Sequence, residues 1–114
     1  PSQKFDDGRN LPAFQKLMQQ TQTAYAKGEL NQAESLANQA QRLAPQSAES
    51  FLYLALIANR KNQFANAQAL AQRGLSYAQT NAMKKQLWQV ILKSGQKQNN
   101  TATANKALQA LKGL

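Results

Sequence analysis

Residues 28–45, GELNQAESLANQAQRLAP, return 34 positions later as residues 62–79, NQFANAQALAQRGLSYAQ. Leu30 falls on Phe64, Ala33 on Ala67, Leu36 on Leu70, Ala37 on Ala71 and Ala40 on Gly74. Small and apolar positions coincide while the polar ones between them drift, so what repeats is a packing geometry. A unit of this length is one supersecondary motif that cannot bury its own apolar face, and stacking copies supplies the missing partner. A chain of 114 residues is one domain of that kind.

The units read as helices. Hydrophobic content is mostly alanine, which together with glutamine, lysine and leucine favours helix, and there are only three prolines and five glycines. No stretch alternates with a period of two for long enough to argue a strand. The expectation is all-α. Residues 1–9 have no periodicity and read as a linker or disordered lead-in, with the folded domain over 10–114. Asn10 is the expected cap of a first helix with Pro12 in its first turn, and Gly28 its stop. A second helix spans about Leu30 to Leu43; Pro45 ends it and Ser47 caps the next. The third, Ala48 to about Arg60, carries Phe51, Leu54, Ala55 and Ala58 as a stripe, and Asn62 stands where Gly28 stood. A fourth runs from Phe64 to about Ala78, and a fifth, capped by Thr80 and Asn81, from Ala82 to Ser94. Gly95 is expected to turn the chain into a sixth, Thr101 to Lys112, with Ala104, Ala107, Leu108 and Leu111 on its apolar side.

This pattern resembles the tetratricopeptide-repeat family. The second repeat carries the likeness through Phe51, Leu54, Ala55, Phe64, Ala67, Ala71 and Gly74, the first through Leu17, Gly28, Leu30, Ala33, Ala37, Ala40 and Pro45. Gln20 and Thr21 depart from it, standing where leucine and glycine are usual. The third repeat reads one residue short, counted from Asn62 to Gly95, with Trp88 where a small residue is expected and Asn100 where alanine is. The resemblance implies three tandem hairpins, about 14–47, 48–80 and 81–114, stacked as six helices in a short right-handed solenoid. More narrowly, the run SAESFLYLALIANRKNQFANAQALAQRGLSYA with KKQLWQVILKS is similar to Gram-negative periplasmic lipoproteins with short domains of this type. These include outer-membrane lipoprotein activators of bifunctional penicillin-binding proteins.

Chemistry has little to work with. Without cysteine or histidine there are no disulfides, thiolate nucleophiles, common zinc sites or imidazole acid–base pairs. The five acids, Asp6, Asp7, Glu29, Glu34 and Glu49, form no converging pair beside a phosphate loop. The chain is therefore read as non-enzymatic, with no cofactor and no metal. No apolar run approaches the roughly 20 residues of a membrane span. The start at Pro1 reads as an excised fragment, so that a signal and lipid anchor upstream, hence a periplasmic domain tethered to the outer membrane, are expected from the resemblance; a cytoplasmic home is the alternative.

In the family, the first helix of each hairpin lines a concave groove for partner segments. The resemblance places Gln15, Met18, Gln22 and Tyr25 there, then Glu49, Leu52, Tyr53, Leu56, Asn59 and Arg60, then Lys85, Gln89, Leu92 and Lys93. Tyr53 and Leu56 fall off the packing stripe of their helix, which fits either extra packing on a neighbouring hairpin or a ligand-facing surface. The lysine and asparagine with which some members clamp a C-terminal carboxylate are replaced by Met18, Gln22 and Tyr53, so a neutral or mildly acidic segment is expected. Trp88 is read as core before interface.

Charge adds a second reading. Net charge is +9, and residues 50–114 carry nine basic groups and no acid. That half favours an acidic partner. Nucleic acid or another anionic surface is the alternative to a protein partner, though few aromatics are interleaved to stack on bases. The open ends of a short solenoid also allow self-association.

Overall fold

The computed structural model describes residues 8–114. Six α-helices and no strand occur among the described residues: α1 Pro12–Ala26, α2 Leu30–Leu43, α3 Ala48–Arg60, α4 Phe64–Tyr77, α5 Asn81–Lys97 and α6 Thr101–Lys112. They pair as hairpins α1–α2, α3–α4 and α5–α6, which stack through α2–α3 and α4–α5. The first helices also approach one another in turn, α1 with α3 and α3 with α5, whereas no Cα atoms of α2 and α4, or of α4 and α6, come within 8 Å. Helices that meet on one side and splay on the other bend the stack toward α1, α3 and α5. No helix among the described residues is long and apolar enough to cross a membrane.

Three equivalent turns fix the register. Gly28, Asn62 and Asn99 all adopt left-handed backbone, at φ 78°, 62° and 56°. Behind each, the next residue's N–H reaches a carbonyl five positions back: Glu29 to Ala24 at 2.9 Å, Gln63 to Ala58 at 2.8 Å and Asn100 to Gly95 at 2.8 Å. The left-handed residue itself donates to Tyr25, Asn59 or Gln96 at 3.0, 3.0 and 3.1 Å. Both bonds satisfy carbonyls that a helix end would otherwise leave orphaned.

This corrects the sequence reading of the third repeat. Gly95 does not turn the chain; it lies buried inside α5, and the turn falls at Asn99, 37 residues after Asn62. The added length is at the start of α5, which has 17 residues against the 13 of α3. In this register Trp88 takes the place of Phe51, Gly95 that of Ala58 and Ala104 that of Ala67, so the expected misfit of Trp88 disappears. Asn100 becomes the cap of α6, accepting the Thr103 N–H at 3.1 Å. Gly95 is required for closeness: a Cβ there would stand 3.0 Å from the Ala104 backbone nitrogen.

Other helix starts differ as well. Leu11, not Asn10, precedes α1, with no side-chain cap, and Pro12 opens the helix where its missing N–H costs nothing. Ser47 occupies the cap position of α3, but its side chain makes no capping bond. Thr80 does cap α5, accepting from Met83 N–H at 3.1 Å, while Asn81 is already helical. Of the lead-in expected over 1–9, residues 1–7 lie outside the described residues. Gly8 is buried, and a Cβ on it would run into the Leu43 carbonyl at the end of α2.

The core is a row of clusters between hairpins. Ala33, Ala37, Ala40, Ala55, Ala67 and Ala71 are wholly buried, letting helices approach closely. Phe51, Ile57, Leu87 and Ile91 are the large anchors between them, each worth about 1.5–3 kcal/mol on burial. Thr21, in a place where glycine is usual, is buried and turns its hydroxyl back to the Leu17 carbonyl at 2.7 Å. On α6, Ala107 is buried, but Leu108, expected on the apolar side, is 44% exposed, since among the described helices only α5 packs on α6.

Candidate partner-binding groove

The face lined by α1, α3 and α5 holds two clefts. The larger, about 440 Å³, is walled by Phe14, Met18, Tyr77 and Met83, with Gln15, Gln22, Glu49 and Thr80 at its edge. The smaller, about 160 Å³, has Leu52, Leu56 and Val90 beneath Arg60, Gln89 and Lys93. Between them a bridge of side chains joins α1 to α3. The Gln22 amide donates to Glu49 at 3.0 Å, and the Tyr25 and Tyr53 rings meet edge to face at 5.8 Å. Arg60 lies over the Tyr25 ring, 5.0 Å from its centre, and donates to the Tyr25 carbonyl at 3.2 Å. A cation at the last carbonyls of α1 also suits the helix dipole. Partial burial raises the Tyr53 phenol above its ordinary value of 10.0, and the charges of Glu49 and Tyr25 push the same way.

The fourteen residues expected on this face divide by exposure, Gln15 being exposed and Leu92 half-buried. Gln22, Arg60, Lys85, Gln89 and Lys93 are exposed; Tyr25, Glu49, Tyr53 and Leu56 are half-buried. Met18, Leu52 and Asn59 are 3%, 2% and 4% exposed and form floor and framework. Asn59 in particular faces inward: it donates to the Val90 carbonyl at 3.3 Å and accepts from the Ser94 hydroxyl at 2.9 Å, tying α3 to α5. Tyr53 packs on the Phe14–Met18–Ala40–Ala44 cluster and Leu56 on the cluster of hairpins two and three; Leu56 also lines the smaller cleft, whereas Tyr53 lines neither. Lys85 lies on α5 outside both clefts. Leu92 and Trp88 are half-buried against the core of hairpins two and three.

Sequence reasoning missed Phe14, Tyr77, Met83 and Gln86, which complete the clefts. Gln86 precedes Gln89 and Lys93 by three and seven residues, a helical spacing that points to the shared face once the extent of α5 is known.

The basic half is partly engaged within the chain. Lys61 pairs with Glu34 at 3.0 Å, and Arg73 lies over Phe51, 4.8 Å from the ring centre. Lys85, Lys93, Lys97, Lys106 and Lys112 are exposed without a carboxylate partner among the described residues.

The chain is similar to the solved globular C-terminal domain of P. aeruginosa LpoP: 30% identity over 96% of this chain and 99% of that one, with a TM-score of 0.82. No protein-family model matches the sequence. No curated protein sequence does either.

Proposed function

Because the chain belongs to the family of the LpoP globular C-terminal domain, we propose that it is a protein-interaction domain that binds and activates a bifunctional penicillin-binding protein. The observation that carries this reading is the likeness over nearly the whole of both chains, at 30% identity. It agrees with the resemblance of residues 47–78 and 84–94 to lipoprotein activators of that class. In this reading the domain works in the periplasm, held near the outer membrane by an anchor upstream. The groove of α1, α3 and α5 receives a segment of the synthase, and the second helices serve as scaffold. Activation is then conformational: the domain favours the synthase state to which it binds more tightly, by as much as that difference in affinity. The domain contributes no catalytic group of its own.

The test is to add the purified domain to a bifunctional synthase and follow lipid II consumption and peptide crosslinking. A concentration-dependent rise in glycan polymerisation is expected. An unchanged rate at saturating domain, with no binding detected, overturns the reading.

A further inference from the structure

The smaller cleft is chemically different from the rest of the groove. Its floor is aliphatic, from Leu52, Leu56 and Val90, and its rim carries two exposed cations, Arg60 from α3 and Lys93 from α5. At about 160 Å³ it falls below the roughly 300–1,000 Å³ usual for small-molecule sites, and it matches a docked side chain better. Arg60 is held in place over the Tyr25 ring and by the Tyr25 carbonyl, so the guanidinium has little freedom left to lose on binding. Residues 50–114 contain no acid, and neither cation has a carboxylate partner among the described residues. Asn59, locked to Val90 and Ser94, fixes α3 against α5 below the cleft, so its two sides do not move independently.

We infer that this cleft takes an acidic segment of the protein partner, seating an aliphatic side chain on Leu52, Leu56 and Val90 and a carboxylate against Arg60 and Lys93. The inference rests on the groove being the partner-binding face. A peptide fits better than a nucleic acid because the one ring that lines this cleft, Tyr25, is covered by Arg60. Side-chain burial supplies affinity, and the paired cations supply selectivity and a fast, salt-sensitive association.

Two measurements test it. In the first, a short peptide with leucine flanked by aspartate and glutamate is titrated into the labelled domain and followed by amide resonances. Its asparagine and glutamine isostere, a DNA duplex and anionic phospholipid vesicles are titrated alongside. Shifts centred on residues 52–60 and 86–93 are expected, with the isostere binding about threefold or more weakly. Equal binding of the isostere, shifts elsewhere, no shifts at millimolar peptide, or stronger shifts of the same amides by DNA or vesicles overturns the inference. In the second, Lys93→Gln and Arg60→Gln are compared with wild type for affinity toward the bifunctional synthase at low and high salt. Each should bind about three- to tenfold more weakly at low salt, with a smaller salt dependence. Lys93 is exposed and has no side-chain hydrogen bond or ion pair among the described residues, so its variant separates recognition from stability. If wild type binds and Lys93→Gln binds equally well, the inference fails and the proposed function stands. If wild type does not bind the synthase, the proposed function fails, and the peptide titration alone decides the inference.

Discussion

At the scale of single residues, the groove face shows how far a position on a helix differs from a role. Asn59 sits on the helix that lines the groove, yet its amide is spent on Val90 and Ser94. Replacing it by alanine leaves the Val90 carbonyl and Ser94 hydroxyl with one partner fewer in a buried place. Asn59→Ala should lose about 1–3 kcal/mol of stability in urea denaturation; a loss below about 0.5 kcal/mol would show that water replaces those bonds. Tyr53 gives a signature in pH. Its raised phenol means that the unfolded chain loses the proton first as pH climbs. The stability from the neutral phenol is therefore complete below its ordinary value of 10.0 and is lost as pH rises past it. Thermal melts of Tyr53→Phe and wild type across that range should differ in slope, with the variant losing less; parallel curves would mean that the phenol is solvated in the folded state.

At the scale of helices and hairpins, close approach is the governing quantity. A Cβ on Gly74 would come within 2.9 Å of Leu87 Cδ2 and 3.1 Å of Phe51 Cβ, and both of those residues are fully packed. Gly74→Ala should therefore destabilise by about 1–3 kcal/mol by overpacking, although the same change on an open helix would gain close to 1 kcal/mol of propensity. A rise in melting temperature would contradict this. The same point explains what the sequence left hidden. Helices α2 and α3 have the bounds expected from periodicity, because Gly28, Pro45 and Asn62 punctuate them plainly. Gly95 looked like the same punctuation, but glycine serves close packing as readily as left-handed turns, and only the position of α6 against it tells the two apart. Asn99 carries the turn instead, and the precedent of Asn62 was the available clue. For the groove, the helices that line it were legible from the repeat. Which of their side chains are spent inward was not, since Met18, Leu52 and Asn59 are buried by helices far away in the chain.

At the scale of the whole molecule, the two ends of the stack differ from its middle. In the register set by the turns, Gln20, Leu54 and Ile91 are equivalent; Gln20 is exposed, while Leu54 and Ile91 are buried against a neighbour. The departure of Gln20 from the family pattern thus falls on a side of α1 that no other helix covers among the described residues. Hairpin three, by contrast, supplies Leu87, Val90, Ile91 and Ala107 to the cluster it shares with α3 and α4. Ending the chain after residue 80 should uncover that cluster and leave residues 8–80 unfolded or aggregated by circular dichroism and sedimentation; a stable, monomeric two-hairpin fragment would contradict a core shared in this way. The splay of α2, α4 and α6 away from one another leaves α1, α3 and α5 as the face that the proposed function assigns to a partner. The most direct measurement is the affinity of a bifunctional penicillin-binding protein for two folded variants, Leu56→Glu in the groove and Gln39→Glu on the exposed side of α2, each checked by thermal melting. At least tenfold weaker binding by Leu56→Glu, with Gln39→Glu equal to wild type, is predicted; retained binding by Leu56→Glu, or loss by Gln39→Glu alone, would contradict the groove as the binding face.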